Sequence, residues 1–234
     1  MVTRGDFLAS TALVVASPTG ASPSPASSPT PQPEASFPPL EFDVTAFDAA
    51  LSTTATHRHL FAATKLAGGL VLGQMRGVLD AYEDIGMPAA GVHPVAVFYH
   101  GLSVLLGFDD VVWNEYFIPT RSKRTQHMNE YERDFNTVYD PKVRGNPCLH
   151  KTGKKDDSSI EALVADAGAR FFVCNNAAKG FAQYYIAPRL KSDPLKVYAT
   201  LAAHLVPNAM LVPAGIWAVH AVQERRYTYL QATL

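Results

Sequence analysis

The sequence predicts an α/β protein of three layers, α/β/α, built on a mostly parallel sheet. Two patterns and the chain length predict it. From residue 57 onward, strand-like apolar runs alternate with segments of helical periodicity, which is the signature of strands joined by crossover helices. The run VHPVAVFY over residues 92–99 is rich in β-branched and aromatic residues, as a strand buried on both faces must be. A length of 234 residues fits one domain or at most two.

The elements follow in order. Residues 59–63 form a short apolar strand. Residues 68–85 carry Leu70, Val71, Met75, Val78, Leu79 and Tyr82 at helical spacing and stop before Gly86 and Pro88. The strand 92–99 ends at His100-Gly101, and a short helix follows through Leu106. Ser158 or Ser159 before Glu161 caps a helix over 158–167, and 169–174 is the next strand. A helix over 177–190, a helix over 195–205, a strand over 209–213, a helix over 216–225 and a closing strand over 227–231 complete the domain.

The first forty residues have a different character. Eight of the seventeen prolines fall between Pro18 and Pro39 among Ala, Ser and Thr, so residues 22–40 read as a disordered linker that cannot bury a core. Ahead of it stand Arg4, a ten-residue mostly apolar run over 7–16, and small residues suited to cleavage after Ala16 or Ala21. Residues 1–21 therefore read as an export signal, which assigns the mature chain to the periplasm. The segment Thr3-Arg4-Gly5-Asp6-Phe7-Leu8 resembles a twin-arginine signal with Gly5 in the second arginine's place, and a merely disordered N-terminus is the alternative. The domain then spans 41–234, with a long insertion at about 109–157.

Charge and composition narrow the function. Twenty Lys and Arg against twenty-one Asp and Glu leave a net charge of −1, so no strong field gathers nucleic acid or an anionic membrane. No apolar stretch is long enough to span a bilayer. The chain lacks a glycine-rich phosphate fingerprint, a Gly-Lys-Ser/Thr loop, a Gly-x-Ser-x-Gly elbow and a His-Glu-x-x-His pair. Nucleotide hydrolysis and the common serine and zinc hydrolyses are unsupported, and neither a cofactor nor a metal is expected. Between Arg121 and Lys155 nine basic residues interleave with Tyr131, Phe135 and Tyr139. This segment contacts a partner or an anionic ligand, or is a solvated loop; six nearby acids favour the loop.

In open α/β sheets the functional groups sit at the carboxyl ends of strands. Three such ends stand out: Tyr99-His100-Gly101, Cys174-Asn175-Asn176 and Val212-Pro213-Ala214-Gly215. Cys174, at a strand end with Asn175 and Asn176 available to cap the following helix, would feel that helix's partial positive charge, which favours a nucleophilic thiolate. The alternative is a small buried hydrophobe closing a core strand. His100 could polarise a ligand or transfer a proton, or merely cap the strand. Cys148 could act as a resolving cysteine or bridge to Cys174, closing a loop of roughly 25 residues for about 3 kcal/mol in the chain-entropy picture. His57 and His59 flank Arg58 but find no third metal ligand, His220 lies among packing residues of its helix, and Asp109-Asp110 is a weak acid–base candidate because adjacent residues on one loop more often diverge.

The stretch Gly168-Ala169-Arg170-Phe171-Phe172-Val173-Cys174-Asn175-Asn176, then Leu211-Val212-Pro213-Ala214-Gly215 with a helix containing Val222-Gln223, then Tyr227-Thr228-Tyr229-Leu230, resembles the DsrE/DsrF-like family. Members place a cysteine followed by asparagine at a strand end, a Val-Pro-small-Gly turn later, and a final Tyr-x-Tyr strand. The resemblance is densest over residues 168–231 and implies a flavodoxin- or Rossmann-like α/β fold and homo- or hetero-oligomers. In the sulfur-relay branches it implies sulfur passed as a persulfide on the cysteine corresponding to Cys174, with sulfur-donor or acceptor proteins as partners. A non-catalytic module of the same fold, binding a small molecule or a protein, is the alternative.

Overall fold

The computed structural model describes residues 35–120 and 144–232. The expected export signal, most of the linker and the greater part of the basic segment lie outside the described residues. Within them, five strands form one all-parallel sheet in the order β4-β3-β2-β1-β5. They are β1 (His57–Ala63), β2 (Val92–Phe98), β3 (Arg170–Cys174), β4 (Ala209–Val212) and β5 (Thr228–Ala232). The helices are α1 (Val44–Leu51), α2 (Leu70–Asp84), α3 (110–120), α4 (Ile160–Ala167), α5 (175–190), α6 (Pro194–Ala203) and α7 (Gly215–Glu224).

Strand period and crossover hand together fix the layers. Alternate side chains leave opposite faces of a strand, so Phe61, Ala96, Phe98, Phe171 and Val173 share one core, and Leu60, Ala62, Val95, Val97 and Phe172 the other. The first core is covered by Leu72, Met75 and Leu79 of α2, Leu163 of α4, Ala182 of α5 and Leu201 of α6. The second is covered by Phe47 and Leu51 of α1 and by Ala218 and Val222 of α7. Parallel crossovers are right-handed. The chain steps in one direction from β1 to β4, which keeps its connecting helices on one face; the return to β5, beside β1, puts α7 on the other. The three-layer α/β class is what the sequence predicts.

Several boundaries and two helices differ from expectation. Residues 35–40 carry no regular secondary structure but are anchored to the domain: Ala35 N–H donates to Gln183 Oε1 at 2.9 Å, and the Phe37 ring meets Tyr198 edge-on at 5.3 Å. Helix α1 follows an N-cap Asp43 that accepts from Ala46 N–H at 3.0 Å, and α3 runs inside the expected insertion from an N-cap Asp109. The rest of the described insertion is tied down rather than loose. Asn146 donates to the carbonyls of Leu106 and Phe108, and the Asp157 carboxylate accepts from the backbone N–H groups of Thr152, Gly153 and Ser159. Burial would raise the Asp157 pKa, but these hydrogen bonds to Ser159 and Thr152 outweigh it and hold the carboxyl well below the usual range. The buried Arg76 clamps the same loop, donating to the Asp157 carbonyl at 3.0 Å and to Asp166 Oδ2 at 2.6 Å.

Candidate functional site

The topology creates one crevice of the kind in which α/β proteins place ligands. The chain leaves β3 toward one face of the sheet, into α5, and leaves the adjacent β4 toward the opposite face, into α7. Neighbouring strands whose connections part in this way open a gap beyond their carboxyl ends. Cys174 closes β3 at that gap.

Cys174 is itself the N-cap of α5, and its Sγ accepts the Ala177 N–H at 3.4 Å. The helix starts at Asn175, so neither asparagine caps it, contrary to the sequence expectation. Asn175 is buried instead, and its Oδ1 accepts from the Tyr198 hydroxyl at 2.7 Å, which ties the start of α5 to α6. Asn176 is exposed and lines the cavity beside Cys174.

A cavity of about 630 Å³ opens beyond the carboxyl ends of β2 and β3, against α5. The turn leaving β2 supplies Tyr99, His100, Gly101 and Leu102, and one flank of α5 supplies Ala177, Gly180, Phe181, Tyr184 and Tyr185. Gly101 takes φ +54°, a left-handed conformation that lets the chain turn out of β2 into the short helical segment Gly101–Gly107. Buried Ser103 fixes this turn by placing its hydroxyl 2.7 Å from both the His100 and the Ala63 carbonyls. His100, its carbonyl held by Ser103, lines the cavity and is exposed.

Gly215 explains the third strand end. A Cβ there would stand 1.9 Å from Tyr99 Cβ and 2.4 Å from its Cα, so only glycine lets α7 begin against the end of β2. The middle of α5, Phe181–Ile186, winds as a π-helix, and so does Trp113–Phe117 of α3; the Phe117 and Phe181 rings meet at 6.1 Å. Such widened turns recur at functional sites because they re-aim side chains. Here Phe181 reaches the cavity.

The structure thus brings together Cys174, Asn176, His100 and Gly101 of the residues singled out from sequence, and sets Asn175 behind them. Cys148 is elsewhere. It lines a separate cavity of about 300 Å³ beside Gly68 and Gly69, with its Sγ 2.7 Å from where a Gly69 Cβ would be. Both cysteines are free, so the bridge considered from spacing is not formed. Burial pushes the Cys148 thiol up to about 11. Asp109 and Asp110 diverge: Asp109 caps α3 and lies 3.0 Å from His204 Nδ1, whereas Asp110 lies 2.6 Å from His150 Nε2 and accepts from Asn146 N–H. Both ring nitrogens of His59 are engaged, Nε2 with the Tyr82 hydroxyl and Nδ1 with Thr228 Oγ1. His220 is exposed on α7 rather than packed. Among the described residues, no cluster of three or more His, Cys, Asp or Glu could hold a metal ion, and no helix is long and apolar enough to cross a membrane.

The aromatic walls were not singled out from sequence. Ala177, Phe181 and Tyr184 recur at near-helical spacing, a signal that marks one shared flank of α5 but does not say what faces it.

Fold and site together define a three-layer α/β protein with a cysteine at a strand–helix junction inside a largely apolar cavity. No protein-family model matches the chain, and no curated protein does. Among solved structures, the chain is similar to a protein of unknown function from Methanobacterium thermoautotrophicum, at 14% identity and a TM-score of 0.36, over 75% of this chain and 98% of that one.

Proposed function

We propose that the chain is a DsrE-like sulfur-handling protein in which Cys174 carries a thiol-bound sulfur atom as a persulfide. The observation that carries this reading is the position of Cys174 at the carboxyl end of β3, lining a cavity and accepting a helix-terminal N–H. A sulfur at that position has a backbone donor to stabilise developing negative charge and an approach route for a donor molecule. His100 on the same wall can hold or release a proton. The reading extends to an exported, periplasmic chain that forms homo-oligomers and exchanges sulfur with a donor or acceptor protein.

The test is intact-mass spectrometry of the chain after incubation with a persulfide donor. Wild type gains mass in units of one sulfur, and Cys174→Ser gains none; equal loading of the variant would overturn the proposal. A second reading, a non-catalytic binding module, is favoured by the burial of Cys174, which is 5% exposed. In that case the thiol labels only after denaturation.

A further inference from the structure

The walls of the Cys174 cavity are specific about what they can hold. Among the described residues lining it there is no Asp, Glu, Lys or Arg. Rings and aliphatic groups dominate: Tyr99, Leu102, Phe181, Tyr184 and Tyr185. Polar groups are few, and are Cys174, His100 and Asn176 together with the tyrosine hydroxyls. Burial grades along the cavity from Cys174, 5% exposed, to Tyr184, 64% exposed. Gly180 leaves space on the α5 flank, where a Cβ would meet nothing within 4 Å.

A cavity of about 630 Å³ with apolar walls and a few convergent polar groups has the form of a small-molecule site. An inorganic anion such as thiosulfate would offer the rings of Tyr99, Phe181 and Tyr185 no apolar surface to cover, whereas an apolar organic body would. We infer that the cavity binds an organosulfur compound, a thiol or its persulfide, whose aromatic or branched aliphatic body of about ten to twenty non-hydrogen atoms lies against the rings while its sulfur points at Cys174.

Binding of this class stands on the cavity alone; the transfer step rests on the carrier reading above. In that step the Cys174 thiolate attacks the outer sulfur of R–S–SH. The bond between the two donor sulfurs breaks, a new S–S bond forms on Cys174, and the departing R–S⁻ takes the proton that Cys174 released. The sum is R–SSH plus Cys174–SH giving R–SH plus Cys174–SSH, with no external oxidant or reductant.

The experiment uses the full chain and separates binding from transfer. Benzyl methyl sulfide, which cannot transfer sulfur, is titrated into wild type and Cys174→Ser by protein-observed NMR. It binds both, whereas Gly180→Leu, which fills the cavity from an unstrained helical position, weakens binding about tenfold or more without lowering the melting temperature. Benzyl persulfide then loads Cys174 about tenfold faster than glutathione persulfide, read by intact mass. Absence of thioether binding, binding indifferent to Gly180→Leu, or equal rates from the two donors would overturn the inference. If the thioether binds and no donor loads Cys174, the cavity assignment stands and the carrier reading falls. If sulfur loads and the thioether does not bind, the reverse holds.

Discussion

His93 gives the protein a built-in sensitivity to acid, and its size can be worked from the structure. The side chain is 7% exposed in β2, and its Nδ1 lies 2.6 Å from the Tyr227 hydroxyl, which donates onward to the Leu51 carbonyl at 3.1 Å. The Tyr227 proton is committed to Leu51, so the hydroxyl accepts from Nδ1–H and ties β2 to the end of α1 through the residue preceding β5. Burial, and then the positive charges of Arg170 and Arg58, lower the His93 pKa from 6.5 to about 4. The unfolded chain therefore binds more protons than the folded one between these values, and stability rises with pH across that window. The contribution is fully present above about pH 6.5 and is lost as the pH falls toward 4. At 1.36 kcal/mol per unit the shift sets a ceiling of about 3.4 kcal/mol. Solvent screening of the two partly exposed arginines reduces this to about 2 kcal/mol. Urea unfolding of wild type and His93→Gln at intervals from pH 7.5 to 4.5 measures it, because the variant removes this titration and leaves the others in place. The stability advantage of wild type over variant should shrink by about 2 kcal/mol on acidification. An advantage that does not change with pH would refute the reasoning.

Two further outcomes follow from close approaches. Gly215→Ala forces a methyl group into the backbone of Tyr99, so it should destabilise the protein by about 1–3 kcal/mol in thermal or chemical unfolding, and a neutral result would show that α7 can shift freely. In a Cys174→Ser background Cys148 is the sole thiol; with its pKa raised from 9.0 to about 11, its thiolate fraction at pH 8 is about 100-fold below that of an unperturbed thiol. Alkylation should be slow in the folded protein and fast after unfolding, and equal rates would mean that Cys148 is not held against Gly69.

Much of this fold is legible because burial leaves a strong pattern. β2 and β3 are central strands with both faces covered, so their apolar runs are unbroken; β2 ends one residue short of the run and β3 starts one residue inside it. Capping chemistry was equally plain at Ser159, whose hydroxyl accepts from Ala162 N–H at 3.2 Å at the start of α4. Weaker signals were missed for physical reasons. Helix α1 is only eight residues long and directly follows the proline-rich stretch, although Asp43 marks its start. Helix α3 carries Pro119 in its last turn and a π-helical stretch, which breaks the 3.6-residue period that periodicity relies on. The cap of α5 was misassigned because a thiol is a weak acceptor and lies outside the set of side chains that usually cap helices. Cys174, His100 and Gly101 could be found as strand ends, but that β2 and β3 are neighbours, and so that these ends share one cavity, is a tertiary fact.

The cavity exists because of where the last strand goes. Had β5 added beyond β4, a right-handed crossover would have carried α7 onto the face already occupied by α2, α4, α5 and α6, beside the opening above β3. By pairing with β1 instead, with Tyr229 opposite Leu60, β5 draws α7 to the other face. Gly215 then lets that helix start against Tyr99 from behind, so the end of β2 is braced on one side and open on the other. The open side is the one α5 borders, with Cys174 at its first turn and Phe181 and Tyr184 further along. The Val212-Pro213-Ala214-Gly215 turn therefore serves the site without lining it. A substitution there should disturb the cavity through the position of Tyr99 rather than through any direct contact with a ligand.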